Sequence, residues 1–474
     1  MLYLSRNKLS GPITPKIGNL SRLTHLVLFD NNLHGTIPHE IGNLSSLWAL
    51  DLETNHLSGK LPSTIGNLKT LGDLQLNINN LTGQIPSSIC NLSSLAILHL
   101  SENILQGRIP QCLGNFSTSL SVLALSENQF HGPIPTTFAD GIKLEYLNFY
   151  GNKLQGLLPK SLCKCQRLQV LNIGNNEIQD LFPFWIETLP ELRVLVMRSN
   201  KFHGKVLPNY LKNDNVPPFQ NLQIFDISHN EFTGPLPDGY FKNLVAMMNV
   251  KTNGTEARYW LVDSKDPVKL VFKGFEYPLV NIVVTFTILD FSNNQFYGSI
   301  PHSIGNLNLL IYMNLSHNML EGKIPTSFGN ISELEQLDLS SNQLQGEIPW
   351  ELTTLSFLSS LNLSNNLLFG PIPESGGQFP TFQNNSYMGN VGLCGYPLTK
   401  KCKDDADDKA AQPMLPREGD DSEFLDGFTW QAVVMGYGCG FMFGVTIGCL
   451  ALLYRKPRWL LNIFFGIQGK INGN

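Results

Sequence analysis

Eight cysteines, ten Asn-x-Ser/Thr triplets and a scatter of aromatic and arginine side chains are the residues of this 474-residue chain whose types and spacing could do chemistry. The triplets begin at Asn19, Asn43, Asn80, Asn91, Asn115, Asn253, Asn314, Asn330, Asn362 and Asn384, and each is an acceptor pattern for N-linked sugar. Cys90 and Cys112 recur in similar settings, "SICNL" and "QCLGN", while Cys394 and Cys402 are spaced to close a short loop. Cys163 and Cys165 are two apart and are not expected to bond each other; Cys439 and Cys449 lie in an apolar run, where free thiols are expected. Bridges would place the chain in an oxidising compartment, although spacing alone leaves their connectivity open. No Ser/His/Asp set, metal cluster or isolated carboxylate pair stands out, and no kinase motif occurs. An enzyme is therefore not expected, and neither a metal nor a cofactor is implied.

The elements that must position these residues follow from a repeat. "LVLFDNNLHGTIP" (26–38), "LDLETNHLSGKLP" (50–62), "LQLNINNLTGQIP" (74–86) and "LHLSENILQGRIP" (98–110) are variants of L-x-L-x-x-N-x-L-x-G-x-I-P. The asparagine recurs at 7, 31, 55, 79, 103, 128, 152, 176, 200, 230, 294, 318, 342 and 366, and eleven of the thirteen steps are 24 or 25 residues. Leucines at period two face inward from a short strand, with the intervening residues facing out. One such unit cannot bury its apolar side, but stacked units share a continuous core. The repeated Asn is expected to satisfy backbone groups where the chain leaves each strand, and Gly and Pro to fix the return path. This is a leucine-rich-repeat solenoid, an α/β repeat wound as a right-handed superhelix with a parallel sheet on its concave face. At roughly 4.8 Å per strand, fourteen units make a sheet about 65 Å long.

The remaining steps, of 30 and 64 residues, mark interruptions. We read residues 1–237 as a first block of repeats with an incomplete first unit, 238–287 as an insertion or island, and 288–373 as four further repeats. In the island, "VKLVFKG" (268–274) alternates enough to be a strand, and Tyr259 and Trp260 are candidate anchors. Beyond Pro373 the pattern is expected to stop in a terminal cap, 374–403. Residues 404–427 hold nine acids against Lys409 and Arg417 and read as a solvated linker. Outside that stretch the overall charge of −5 becomes about +2, so no basic face for nucleic acid is expected.

No charged residue falls between Asp426 and Arg455. Residues 428–454 are therefore expected to form one transmembrane helix: at 1.5 Å per residue, about 22 apolar positions span roughly 33 Å against a hydrocarbon core of about 30 Å. Arg455, Lys456 and Arg458 follow the span, which puts the repeats outside and the tail 455–474 in the cytoplasm. Gly436, Gly440, Gly444 and Gly448 fall every fourth residue, leaving a groove along one helix face for another helix to approach. "MLYLSRNKLSG" does not read as a signal peptide.

In combination, "LSGKLP"-type repeats, "LNIGNNEIQDLFPFW" (171–185), "FDISHNEFTGPLPDGYFKNLVAMM", "GNVGLCGYPL", the acidic stretch and the glycine-rich span with its short basic tail resemble the plant leucine-rich-repeat receptor-like proteins of the Cf type. The resemblance covers nearly the whole chain. It departs at the start, where the family's signal peptide and cysteine-paired cap are not found. It implies a plasma-membrane receptor without a kinase, acting in plant defence or development. Such a receptor is held to an adaptor receptor kinase through its glycine face and recruits a co-receptor kinase on ligand binding. It also implies that the island ends in a Lys-Gly element, matched by Lys273 and Gly274. An inhibitor of a cell-wall-degrading enzyme is the alternative from another class. An extracellular peptide or protein ligand would be met by outward strand positions uncommitted to the core. Phe29, Trp48, Glu53, Asp73, His99, Tyr146, Tyr150, Arg193 and Arg198 are the candidates, because aromatics and arginine dominate interface energetics.

Overall fold

The computed structural model describes residues 1–402 apart from 116, 208–217, 249–258, 261–266, 273–274, 280–281 and 284–285. The L-x-L segments form one fourteen-stranded sheet whose spatial order follows the chain, from Leu2–Tyr3 to Ser360–Asn362. Every pairing is parallel and in register: Leu26, Leu50, Leu74 and Leu98 lie beside one another. From Leu26 onward the inward leucines are buried in one continuous core running along the stack. The strand Ile224–Asp226 pairs directly with Ile288–Asp290, with Phe225 beside Leu289, so the chain between them leaves the stack without breaking it.

The return segments differ from an α/β repeat. Each "PxxIGNL" makes a five-residue 3-10 helix, such as His39–Asn43 or Ser63–Asn67, and the one α-helix among the described residues is Asp238–Phe241. Five residues with a central glycine are too few for an α-helix, and the tighter 3-10 turn closes the repeat instead. The "LxGxI" segments pair as well, in an eight-stranded parallel sheet from Ser10–Pro12 to Glu177–Ile178 and a seven-stranded one from His203–Lys205 to Gly392–Cys394. Their glycines sit at positive φ, as at Gly59 (+76°), where a side chain would be strained. The two sheets meet where "IQDLFP" replaces "LxGxIP", where the bridge Leu181 to His203 and the Lys201 N–H to Ile178 carbonyl bond join them.

The repeated asparagine builds a ladder. Asn152 donates to the carbonyls of Leu125 (3.0 Å), Phe149 (3.1 Å) and Tyr150 (3.3 Å), and its Oδ1 accepts from the Phe130 N–H (3.0 Å). At all fourteen positions the preceding residue has φ between +50° and +67°. For a non-glycine residue that conformation costs about 1–2 kcal/mol, and the bonds of the following Asn hold it in place. The ladder does not stop at Pro373. Asn390, 24 residues after Asn366, accepts from Leu368 N–H and donates to Leu363 and Tyr387 carbonyls, and Gly392–Cys394 adds a strand beside Leu367–Pro371. No helix among the described residues is long and apolar enough to cross a membrane; residues 428–454, with Gly436, Gly440, Gly444 and Gly448, lie outside the described residues.

Candidate ligand-binding face

The outward side chains of the large sheet form three rows. The strand pairings place Ile97, Val122, Tyr146, Val170, Val194, Ile224, Ile288 and Tyr312 side by side in the first row. It is apolar across eight successive strands, with Asp73 before it and Gln336 after it. The second row is mainly polar and includes Asp51, Gln75, His99, Asn148, Asn172, Asp226 and Asp290. The third, just past the strand ends, carries Phe29, Glu53, Tyr150, Gly174 and Arg198.

The apolar row is a hydrophobic cluster separate from the core, and the island completes it. Val268–Phe272 and Phe275–Leu279 pair as an antiparallel hairpin. Val268 and Leu270, each 2% exposed, pack with Val122, Tyr146, Val170, Val194, Ile224 and Tyr312. Lys269, between them, bonds Glu127 Oε1 at 3.0 Å. The island's stem is fixed at its start: Asp238 bonds Lys242 and Ser303, and Tyr240 bonds Glu187. A second hairpin pairs Tyr259–Trp260 with Ile282–Val283. The side chains of Tyr259 and Trp260, and all of Lys273 and Gly274, lie outside the described residues.

This covering changes the expectation that the outward candidates are open. Tyr146 (2%), His99 (3%), Tyr150 (4%) and Arg198 (9%) are buried, Tyr146 within the cluster that the island strand joins. Tyr150 and Arg198 close over Gly174, where a Cβ would lie 3.0 Å from the Tyr150 ring and 3.1 Å from Arg198 Cγ. Trp48 remains half exposed and packs against His25, the two rings tilted by 38° with centroids 5.4 Å apart. Phe29, beneath the Arg6 guanidinium at 5.5 Å, is partly exposed, as are Glu53, Arg193 and Asp73, which accepts from Gln75. Sequence reasoning sought aromatics and charges and passed over the row of Val and Ile. Its signal was legible as an apolar residue immediately before each L-x-L leucine.

Beside the apolar row, the second row holds buried charge. Asp226 and Asp290 are neighbours across two strands; each accepts from the Ser two residues on, Asp290 Oδ1 from Ser292 N–H (3.0 Å) and hydroxyl (2.6 Å). Burial and the adjacent Asp226 push the Asp290 carboxyl up to about 7. Arg198 Nε lies 3.9 Å from Asp226 Oδ2. Burial likewise raises the Tyr312 hydroxyl, which donates to Asp290 Oδ2 at 3.4 Å. His229 is lowered by burial and by Arg198.

Cys90 and Cys112 are bonded, Cα atoms 5.8 Å apart, joining consecutive 3-10 segments, and Cys394 and Cys402 are bonded across 5.0 Å. Cys163 and Cys165 are free, and burial pushes the Cys165 thiol up to about 12. Asn19, Asn43, Asn80, Asn91, Asn115, Asn330 and Asn384 are exposed. Asn314 and Asn362 are half-buried on the sheet face, their amides donating to Tyr312 Oη and Asp338; Asn253 lies outside the described residues. An open cleft of about 660 Å³ lies at the break in the second sheet, lined by residues including Leu157, Glu177, Asp180, Leu181, Lys201 and His203. Among the described residues no three metal-ligating side chains converge.

The chain matches the model of a leucine-rich repeat region over residues 2–225, and leucine-rich-repeat models over 285–344, 221–243 and 357–379. It is 45% identical over 357 residues to Receptor-like protein 53 of Arabidopsis thaliana, covering 74% of this chain and 36% of that one. It is 51% identical over 280 residues to Receptor-like protein 34 of the same plant, covering 58% and 28%. The chain thus spans about a third of the length of these relatives. Two solved structures are similar at 28% identity over 82% of this chain. One is PEPR1–AtPEP1, with TM-score 0.60 and 55% of that chain covered. The other is the plant peptide hormone receptor RGFR1 in complex with RGF2, with TM-score 0.56 and 62% covered.

Proposed function

We propose, for a chain that belongs to the plant leucine-rich-repeat receptor-like proteins, that it is a cell-surface sensor which recognises an extracellular peptide or protein and signals through partner receptor kinases in plant defence. The observation that carries the reading is the outward face of the fourteen-stranded sheet. A long, rigid face set with apolar, aromatic and charged side chains, with an inserted hairpin packed on it, is built to hold an extended partner. One of the similar solved folds is that of a plant peptide hormone receptor, RGFR1, in complex with RGF2, which supports the same use here.

The rest follows from the sequence. Residues 428–454 would cross the plasma membrane, with the repeats outside and residues 455–474 in the cytoplasm. The face made by Gly436, Gly440, Gly444 and Gly448 would hold an adaptor receptor kinase, and the ligand would recruit a co-receptor kinase. Changing these four glycines together to leucine should lower co-purification of the receptor kinase at least fivefold with surface display unchanged; equal recovery would refute the glycine face. Exchanging residues 24–200 with those of a related receptor should transfer the ligand response, and a response that stays with the recipient would refute recognition by the first block.

A further inference from the structure

The apolar row is longer and more regular than a surface needs. Outward positions of a sheet facing water alternate with the core and are polar, and they are so at Asp73 and at Gln336. Between these ends eight strands in succession carry Ile, Val or Tyr, which at about 4.8 Å per strand makes a strip roughly 34 Å long. An exposed strip of that kind marks an interaction site. In this structure its partner is the chain itself. The described contact includes Val268 and Leu270 within the strip's cluster, Leu279 and Phe286 packed against it, and Lys269 bonded to Glu127. Glu127 is set for this role: it occupies a left-handed position (φ +50°), and its carboxylate lies over Gly151, where a Cβ would stand 2.9 Å from it.

We propose that the row is a track for an extended apolar segment, that the island strand Val268–Phe272 fills it as an internal stand-in, and that an external peptide with the same apolar–cationic–apolar alternation displaces that strand. The inference rests on the peptide-receptor reading and adds to it the site, the chemistry of the ligand and the reason the free protein does not present the site. The hairpin suits displacement. Its strand ladder is internal, Val268 beside Leu279 and Phe272 beside Phe275, so leaving the track breaks no described backbone pairing with the solenoid. The ion pair that fixes its register is partly exposed, with side chains 26% and 35% accessible, so it holds the strand by no more than about 1 kcal/mol. Among its described side chains, the strand loses the burial of Val268 and Leu270, which an incoming peptide replaces.

The test uses a labelled synthetic peptide copying residues 267–279 and the intact chain, with binding read by fluorescence anisotropy. The variant V268D/L270D, whose own strand cannot seat, should bind the peptide at least tenfold more tightly than wild type. Adding Val194→Glu on the row should abolish that gain. Equal binding by wild type and V268D/L270D, including none by either, overturns the proposal, as does a gain that survives Val194→Glu. A milder pair guards against misfolding. Lys269→Glu should raise hydrogen exchange of residues 268–272 at least fivefold, and E127K/K269E should restore it; unchanged exchange in Lys269→Glu overturns the proposal equally. A chain whose ligand response moves with residues 24–200 while its island variants behave as wild type would refute the track and leave the receptor reading standing.

Discussion

Replacing Asn152 by alanine isolates what the asparagine ladder contributes. Its side chain makes four hydrogen bonds, but they are not equivalent. The Leu125 carbonyl keeps a second donor in Asn128 (3.3 Å), Phe149 keeps Asn176 (3.0 Å), and Tyr150 keeps the backbone N–H of Glu127 (2.7 Å). The Phe130 N–H, by contrast, points at Asn152 Oδ1, and an N–H has one direction to give. A buried donor left unsatisfied costs about 1–3 kcal/mol, against about 0.5–1.5 kcal/mol for a bond whose acceptor is served again. The orphaned donor therefore dominates, and we expect Asn152→Ala to cost about 3 kcal/mol. Because repeats can loosen locally, the assay is native-state hydrogen exchange. Protection of the Phe130 amide should fall by two orders of magnitude or more, with amides of the first repeats unchanged. Asn7, exposed and with its side-chain amide donating to the Leu4 and Ser5 carbonyls, is the control, and Asn7→Ala should cost less than about 1 kcal/mol. If Asn152→Ala leaves Phe130 protected, or if both substitutions cost the same, assigning the energy to the orphaned N–H is wrong.

Two further outcomes follow from the same structure. Asp290 holds a proton in the folded chain up to about pH 7, which the unfolded chain releases near pH 4; stability present below pH 4 is therefore lost progressively as pH rises toward 7. Thermal melts between pH 5 and 8 should show a falling midpoint in wild type and a flatter profile in Asp290→Asn, whose amide oxygen can still accept from Ser292; an unchanged slope would show that another group titrates. Gly329 has ordinary φ, but an added Cβ would lie 2.8 Å from Glu351 Cβ and 2.9 Å from its carbonyl oxygen in the next repeat. Gly329→Ala should therefore cost about 1–3 kcal/mol by overpacking, read as a lowered denaturation midpoint, and a neutral result would mean the repeats are less closely stacked.

The amino-acid sequence by itself determined everything that repeats. The period of 24, the inward leucines and the Asn that serves the turns are local regularities, and a stack of identical units has one way to bury them, so the parallel sheet and the core were legible residue by residue. The second sheet was less so, because "LxGxI" carries one inward leucine and a glycine and pairs only when its neighbours are already in place. Asn390 was legible at its spacing of 24 and hidden by a loop of unfamiliar composition. What only the tertiary structure decided is which outward residues are open. Tyr146, Tyr150 and Arg198 look like a binding surface in one dimension, yet all three are buried, and Tyr146 packs in one cluster with a hairpin strand that begins more than a hundred residues after it. Burial on a sheet's outer face depends on what returns to cover it. No local pattern encodes that, whereas the inward face is covered by the repeat's own geometry.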